Sequence, residues 1–304
     1  MRSSRRAVLD LLNRFLGRLN LRIETLTSAR REEQRILLAA ARGDFDEPRY
    51  VVPEPVVSSR HEDILNVLHR FAARFRTFHN AADNPVGYQF DNGFYSSPDA
   101  EVLYAIVRML EPRRILEIGC GNSTKIVRQA IWDGEFASDH RCIDPYPRAE
   151  ISALADQVIR QRIETADPGE LAGSLAAGDM LFIDTSHEVS PANDVAYLYG
   201  RLLPRLAGGV VVHIHDIFLP YEYPLAWVKD EGLDWGEQYI VQALLSEGDK
   251  WEVLWPGYYL QRTLSDFGKH FPEARGRDAQ SLWIRKRDTG RYGWPSRQSS
   301  HDSC

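Results

Sequence analysis

Residues 113–124 of this 304-residue chain have the sequence RRILEIGCGNST, and this short stretch decides the fold. The apolar run over 114–118 predicts a β-strand, and the two glycines that follow, Gly119 and Gly121, predict a tight turn into a helix that begins after Ser123. Glycine at both positions removes the Cβ atoms that would block close approach to the backbone, and it permits the positive φ that such a turn can require. The stretch therefore predicts a strand of an α/β sheet whose turn is open to a ligand.

From Ser97 onward the chain alternates helical and strand patterns. Further strands are predicted over 141–143, 158–163, 180–183 and 210–214, and two late strands over 251–255 and 281–285 follow a helix over 237–245. The run over 210–214 is apolar and β-branched, as expected of a parallel strand covered on both faces. This alternation predicts an α/β fold with a doubly wound, mostly parallel seven-stranded, Rossmann-like sheet.

The chain is predicted to have three parts. Residues 1–85 form an N-terminal helical appendage, 86–290 form the α/β domain, and 291–304 form a polar tail. Arginines accompany an apolar stripe at helical spacing near the N-terminus, made of Val8, Leu11, Leu12, Phe15 and Leu19. Such a stripe fits either an anionic membrane surface or packing on the domain or on a second subunit. We favour packing, and homo-oligomers formed through these helices remain open.

Composition limits the kinds of partner. The net charge of -6 and the pI near 5.9 argue against a nucleic-acid partner and favour a small-molecule substrate. The three cysteines, Cys120, Cys142 and Cys304, lack the spacing of a zinc site or a disulfide framework, which favours a reducing cytoplasm. No apolar run approaches the roughly 20 residues that span a bilayer. We therefore expect a soluble cytoplasmic protein.

The glycine turn distinguishes between two kinds of nucleoside ligand. The third glycine of the dinucleotide fingerprint G-x-G-x-x-G is Thr124 here, which weakens a nicotinamide or flavin assignment and leaves a dehydrogenase as a distant alternative. The E-x-G-x-G pattern resembles instead the first motif of class I S-adenosylmethionine (SAM) methyltransferases. That resemblance implies SAM as the cofactor. The predicted cofactor-binding residues are Glu117, Gly119, Gly121, Ser123, Thr124, Asp144 and Asp184.

Asp144 follows the second predicted strand, 25 residues beyond Gly119. Ligands of such sheets bind at the carboxyl ends of the strands, and a carboxylate at this place can accept both ribose hydroxyls in a bidentate pair. The alternative is that Asp144 caps a helix before Pro145. Together with the glycine turn, the position favours ribose binding.

Acids and imidazoles follow the next two strand ends. Asp184 and His187 lie three residues apart after the strand over 180–183, and His215 and Asp216 follow the strand over 210–214. Such groups could bind a divalent metal or position a general base. We predict His187 and His215 as catalytic residues, and Asp184, His215 and Asp216 as metal ligands. Strand alternation places His215 and Asp216 on opposite faces, so their assignment to one ion stays open, and His213 is expected to be structural.

The region from about 90 to 286 resembles bacterial methyltransferases of the Methyltransf_24 type. The resemblance rests on the segments 181–187, 194–199, 203–206 and 209–224. Relatives include the catechol and macrolide-sugar O-methyltransferases, and in the sugar enzymes an Asp-x-x-His supplies a metal ligand and a base, which match Asp184 and His187. Their acidic pair falls on His215 and Asp216. Histidine at the first position departs from the pattern and shifts the expected metal from Mg²⁺ toward Mn, Fe or Zn.

These features together predict a SAM-dependent O-methyltransferase. The expected acceptor is a hydroxyl of a sugar or another secondary metabolite, as in natural product biosynthesis. Methyl transfer to nitrogen on the same fold is one alternative, and a non-catalytic module that binds SAM or a partner is another. The ionisable groups at the strand ends favour an enzyme, since a binding module has no need of them.

Overall fold

The computed structural model describes residues 9, 11–21, 23, 26–148 and 150–288. It contains a seven-stranded sheet, and each predicted strand is present with small shifts of its ends. The strands are β1 (Arg114–Ile118), β2 (Asp139–Ile143), β3 (Gln157–Ile159), β4 (Met180–Ile183), β5 (Val211–Ile214), β6 (Trp251–Pro256) and β7 (Leu282–Lys286).

The strand order is β3-β2-β1-β4-β5-β7-β6. The first five strands pair in parallel, whereas β7 is antiparallel to both of its neighbours, β5 and β6. The chain proceeds outward from β1 in one direction through β2 and β3, and then continues on the other side of β1 with β4. Since a crevice opens at the strand ends where the order reverses, β1 and β4 locate the expected ligand site. The predicted doubly wound sheet is confirmed.

The structure also contains helices. They are α1 (Leu26–Ala41), α2 (Glu54–Val57), α3 (His61–Leu68), α4 (Ala72–Phe75), α5 (Asp99–Leu110), α6 (Asn122–Gly134), α7 (Pro168–Gly173), α8 (Asp194–Tyr197), α9 (Leu225–Lys229), α10 (Glu237–Ser246), α11 (Gly257–Thr263) and α12 (Phe267–His270). After α8 the backbone passes through a π-helical turn, Leu198–Leu202, and a 3₁₀ turn, Leu203–Arg205. The helical segment that begins with α8 is therefore irregular after its first turn.

Alternating side chains of the central strands build two hydrophobic clusters. Ile115 and Phe182 belong to one cluster, and Leu116, Leu181 and Val212 belong to the other. This is the two-residue periodicity of a strand that is buried on both faces. Each fully buried side chain of this size contributes about 1.5–3 kcal/mol, so the two clusters hold β1 and β4 firmly under the ligand crevice.

The chain divides into two compact units. The larger unit contains Tyr50–Tyr221 and the chain from Asp234 onward, and the smaller one contains the described residues up to Arg49 together with Glu222–Leu233. Residues 50–85 join the sheet because α3 packs on α5, and their apolar side chains enter the first cluster, as Ile64 and Phe78 do. The tail over 291–304 lies outside the described residues.

In the smaller unit, α9 contacts α1. Residues 11–16 are helical, and the predicted apolar stripe is largely exposed where it is described: Leu11 is 69% exposed, Phe15 65% and Leu19 63%. Val8 lies outside the described residues. None of the described helices is both long enough and apolar enough to cross a bilayer.

Candidate active site

A cavity of about 460 Å³ opens above the carboxyl ends of β1, β2 and β4. Five of the residues predicted to bind the cofactor line it: Gly119, Gly121, Ser123, Asp144 and Asp184. The volume lies in the range of about 300–1,000 Å³ that is usual for small-molecule sites. The structure therefore gathers most of the predicted cofactor residues around one cavity.

The glycine turn is shaped by two different constraints. Gly119 has a φ of +80°, and a Cβ atom placed on it would lie 1.6 Å from the backbone oxygen of Asp184. A Cβ atom on Gly121 would meet only the Cβ of Arg148, at the ordinary distance of 3.8 Å. Gly119 is therefore required for the packing of β1 against the end of β4, whereas Gly121 leaves space on the cavity side.

Asp144 connects the turn after β1 to the turn after β2. Its Oδ2 accepts a hydrogen bond from the backbone N–H of Cys120 at 2.8 Å, and its Oδ1 accepts one from the N–H of Tyr146 at 2.7 Å. No helix begins at this position, so the helix-cap alternative does not apply. Each carboxylate oxygen has further acceptor capacity, and the fixed carboxylate faces the cavity.

Glu117 and Thr124, both predicted to bind the cofactor, do not line the cavity. The Glu117 side chain is fully buried, accepts a hydrogen bond from Ser123 Oγ at 2.6 Å, and lies 2.8 Å from His140 Nε2. Burial lowers the pKa of His140, but hydrogen bonds with Cys142 and Glu117 outweigh that effect and raise its pKa to about 9. Thr124 Oγ1 accepts from the N–H of Gly121 at 3.1 Å. Both residues thus stabilise the turn, because their polar atoms form hydrogen bonds within the protein and do not reach the cavity.

A second group of polar side chains adjoins the cavity at Asp184. His187 Nε2 lies 3.3 Å from Asp184 Oδ1 and 3.1 Å from Asp216 Oδ2. One ligand atom from each of the three residues lies within 4.8 Å of the others, which is the spacing of a possible metal site. We call Asp184, His187 and Asp216 the carboxylate–histidine cluster. Because Asp184 belongs both to the cluster and to the cavity wall, the two features form one site.

The second ring nitrogen of His187, Nδ1, contacts Glu237 at the start of α10. His187 Nδ1 lies 2.8 Å from Glu237 Oε2, and Tyr199 donates its hydroxyl proton to Glu237 Oε1 at 2.9 Å. The backbone carbonyl of His187 also accepts hydrogen bonds from the N–H groups of Gly236 and Glu237. The ring of Trp235 lies 4.4 Å from the imidazole. These contacts fix the position of the His187 ring.

Within the cluster, burial and the neighbouring charges shift the pKa values of the side chains in opposite directions. Burial lowers the pKa of His187, but its hydrogen bonds with Asp184 and Glu237 and the charge of Asp216 outweigh this and raise the pKa well above its usual value. Burial likewise raises the pKa of Asp184, yet the hydrogen bond with His187 leaves that pKa below its usual range. Burial raises the pKa of Asp216. In the absence of a cation, these contacts favour the protonated form of His187.

His215 stands beside the cluster. Its Nε2 lies 3.9 Å from Asp216 Oδ1, beyond the ligand-atom group that contains His187, so the predicted metal set of Asp184, His215 and Asp216 differs from the set that the structure assembles. The reason is that Asp216 adopts a left-handed φ of +57°, which ends the regular alternation of β5 and turns its carboxylate toward His187. His213, stacked on Phe182 at 3.9 Å and fully buried, is structural as expected.

Sequence reasoning missed part of the cavity wall. Arg148, Arg162, Ile163 and Glu164 line the cavity. The last three follow β3, which ends four residues earlier than predicted, at Ile159. Had β3 been predicted to end at Ile159, residues 162–164 would have been expected at the cavity, since residues just after a parallel strand face the crevice. Phe94 and Tyr95 also line the cavity.

Glu237 was also missed. It lies 50 residues after His187, and its acidic side chain on the first turn of a helix is the usual pattern of a surface helix start.

A comparison with protein families gave a match to part of the chain. The family Methyltransf_24, described as a methyltransferase domain, matches residues 116–217. A comparison with curated proteins gave no match.

Among solved structures, the chain is similar to a methyltransferase of Podospora anserina bound to S-adenosylhomocysteine (SAH), with 14% identity, coverage of 84% of this chain and 97% of that chain, and a TM-score of 0.40. An O-methyltransferase of Bacillus cereus in complex with SAH is 14% identical, with coverage of 74% and 91% and a TM-score of 0.40. A phosphoethanolamine N-methyltransferase of Haemonchus contortus in complex with SAM is 17% identical, with coverage of 80% and 62% and a TM-score of 0.36.

The matched residues run from β1 through the end of β5, and so include the glycine turn, Asp144 and the carboxylate–histidine cluster. The sheet, parallel through its first five strands and antiparallel at β7, agrees with the mostly parallel seven-stranded sheet predicted from the sequence. The match over residues 116–217 identifies this region as similar to a methyltransferase domain, and the chain is accordingly a SAM-dependent methyltransferase.

Proposed function

We propose that the protein transfers the methyl group of SAM to a hydroxyl oxygen of a small-molecule acceptor, a sugar or another secondary metabolite. The observation that carries the proposal is the double role of Asp184, which lines the cofactor cavity and belongs to the carboxylate–histidine cluster. An acceptor oxygen held at the cluster would lie beside the methyl donor. Alignment of that kind is the main requirement for an in-line transfer from an activated sulfonium.

In this proposal the cofactor occupies the cavity of 460 Å³ and packs against the protein backbone at Gly119 and Gly121. Asp144 accepts the ribose hydroxyls, because both of its oxygens are already oriented by backbone N–H groups and keep unused acceptor capacity. Glu164 and Arg162, which follow β3, form the wall beyond Asp144. Ser123 belongs to the same wall and at the same time donates its hydroxyl proton to Glu117.

The residues of the cluster fit a divalent cation. Two carboxylates and one imidazole converge, and the second ring nitrogen of His187 is hydrogen-bonded to a carboxylate, an arrangement that usually accompanies a metal-ligating histidine. The mixed oxygen and nitrogen donors suit Mn, Fe or Zn better than Mg²⁺. A bound cation would polarise the acceptor hydroxyl and lower its pKa. Asp184, His187 and Asp216 would hold it, and Glu237 would orient the His187 ring.

This assignment makes His187 a ligand and leaves His215 as the proposed base. A histidine that binds a cation through Nε2 has no free lone pair when its Nδ1 proton is donated to Glu237. His215 lies next to Asp216 and against Tyr95, whose ring is 4.9 Å away and lines the cavity. Its Nδ1 is buried and has no hydrogen-bond partner in the described part of the chain.

The acceptor is proposed to enter past aromatic side chains. Phe94 is 60% exposed and Tyr146 is 83% exposed, and both line the cavity. Flat exposed rings of this kind stack on sugar and aromatic rings alike. Arg148 lies 5.1 Å from the Phe94 ring and holds it by a cation–π contact.

The test uses radiolabelled SAM with matched acceptors. Paired hydroxyl and amine compounds built on the same sugar or aromatic ring are incubated with the enzyme, first after exhaustive chelation and then with Mn²⁺, Fe²⁺, Zn²⁺ or Mg²⁺ restored. We expect label on the hydroxyl compounds and a gain on restoring Mn²⁺, Fe²⁺ or Zn²⁺. Label on the amines alone would support the N-methyltransferase alternative.

The variant Asp216→Asn separates the metal from the cofactor. It should lose the gain from added metal and retain SAM binding, because Asp216 does not line the cavity. Asp230→Asn, an exposed acid after α9, is the matched control and should behave as wild type. Full activity of chelated wild-type enzyme would leave the cluster as a substrate-positioning group without a metal.

A further inference from the structure

A second cavity, of about 350 Å³, lies at the end of the sheet where the parallel strands begin, opposite the strand ends that line the cofactor cavity. Trp251 at the start of β6 and Lys286 at the end of β7, which pair directly, form one wall. The π-helical and 3₁₀ turns after α8 contribute another wall through Tyr199 and Leu203. The cavity is therefore separate from the crevice at the carboxyl ends of the parallel strands, where the cofactor binds.

The lining of this cavity carries an excess of positive charge. Lys250, Lys286 and Arg287 contribute three cations, against the single carboxylate of Asp288. Across residues 26–148 and 150–288, no carboxylate comes within ion-pair distance of those three cations. Lys286 is half-buried, and its Nζ is fixed by hydrogen bonds to the carbonyl oxygens of Leu203 at 2.9 Å and Pro204 at 3.0 Å.

The lysines also repel each other. Burial lowers the pKa of Lys286, and the nearby charge of Lys250 lowers it further. Like charges gathered around one cavity are unfavourable unless an anion occupies the space between them. The charge pattern is therefore complementary to a negatively charged ligand.

The remaining walls are apolar. Trp251 is buried, with Lys286 Nζ 5.8 Å from the centre of its ring, and Leu203, Leu206 and Leu244 complete the surface. A bare inorganic ion would leave this apolar area unused. A ring or short alkyl group would cover it, and small-molecule sites of about 300–1,000 Å³ combine apolar walls with a few placed charges in this way.

We propose that this cavity binds a small organic anion, with a carboxylate or phosphate near Lys250 and Lys286 and a flat apolar group against Trp251. The ligand class is thus an aromatic or short-chain carboxylate or phosphate ester. The site is separate from the cofactor cavity, since none of its lining residues lines that cavity or belongs to the carboxylate–histidine cluster. Tyr199 lies between the two sites, because it lines the second cavity and also donates to Glu237.

The test is fluorine NMR of 4-fluorobenzoate titrated with the full-length protein, in the presence of excess SAH to occupy the cofactor cavity. We expect saturable broadening of the ligand signal, and much weaker broadening with the neutral 4-fluorobenzamide. Lys250→Glu reverses one exposed charge of the lining and should weaken binding by about tenfold or more. The matched control is Lys269→Glu, which makes the same charge change on α12 outside the cavity and should bind as wild type.

Three results would overturn the proposal. They are no saturable signal with wild-type protein, equal binding by Lys250→Glu and wild type, or an equal loss in the Lys269→Glu control. The first would mean that the cavity has no affinity for this class of anion. The other two would place the binding elsewhere or attribute it to net charge. Each outcome is independent of whether the protein methylates a hydroxyl.

Discussion

The two glycines of the first turn should respond differently to the same substitution. In Gly119→Ala, the new methyl group would meet the backbone oxygen of Asp184 at 1.6 Å, in a residue whose φ is +80°. A left-handed conformation costs a non-glycine residue about 1–2 kcal/mol, and forcing a methyl group into packed structure costs about 1–3 kcal/mol. We therefore expect a loss of about 2–5 kcal/mol in the free energy of unfolding, or roughly 5–15 °C in Tm.

In Gly121→Ala, the methyl group meets only Arg148 Cβ, at 3.8 Å. The free energy of unfolding should change by about 0.5 kcal/mol or less, as for substitutions away from tight packing. Gly121 lines the cavity, however, so the methyl group would take space from the ligand, and we expect SAM affinity to fall by about tenfold or more.

Differential scanning calorimetry and isothermal titration with SAM measure the two effects on the same samples. A Gly119→Ala protein as stable as wild type would refute the close approach of β1 and β4. A Gly121→Ala protein that binds SAM with wild-type affinity would refute the placement of the cofactor in this cavity. The two variants serve as controls for each other, because they carry the same chemical change two residues apart.

Three further predictions concern side chains that do not line the cofactor cavity. Glu237→Gln should weaken Mn²⁺ binding by about 10–100-fold in titration calorimetry, because it removes the carboxylate that orients His187, while SAM binding stays near wild type. Tyr199→Phe removes only the hydroxyl that donates to Glu237, and should produce a smaller loss in the same assay. Glu101 is buried and its pKa is raised by burial from 4.5 to about 8. Since the folded state then binds its proton more tightly than the unfolded state, stability is lost as pH rises from about 5 through 8, and Glu101→Gln should flatten that pH profile in urea unfolding. An unchanged profile would show that Glu101 is ionised in the folded protein.

The sheet could be predicted because its signals are local. The run over β4 is buried at every position and apolar, and the Gly-Gly pair before β5 marks the turn that precedes it. β3 was predicted too long because Ile163 continues its apolar pattern, whereas in the structure Ile163 begins a 3₁₀ turn and is buried there. Periodicity records burial, and a buried turn residue gives the same signal as a strand residue.

The site was predicted less completely because it depends on backbone conformation and long-range contacts. Asp184 and His187 were found through their spacing, and Asp144 through its position after β2. Glu117 is acidic like Asp144 and Asp184, yet its side chain is buried and contacts His140 on β2 instead of the cavity. Spacing along one strand end cannot reveal such a partner, since the pairing forms only when β1 and β2 lie side by side.

The exchange of His215 for His187 in the cluster has a specific backbone cause. His187 and Asp216 both have left-handed φ values, +59° and +57°, that ordinary residues adopt at a cost of about 1–3 kcal/mol. Hydrogen bonds from Gly236 and Glu237 to the carbonyl of His187 help to offset this cost. The cluster therefore depends on three separate parts of the chain: the turn after β4, the end of β5 and the start of α10. Because a strained loop of this kind is held only by the assembled fold, a late element, α10, positions the side chain on which the proposed chemistry depends.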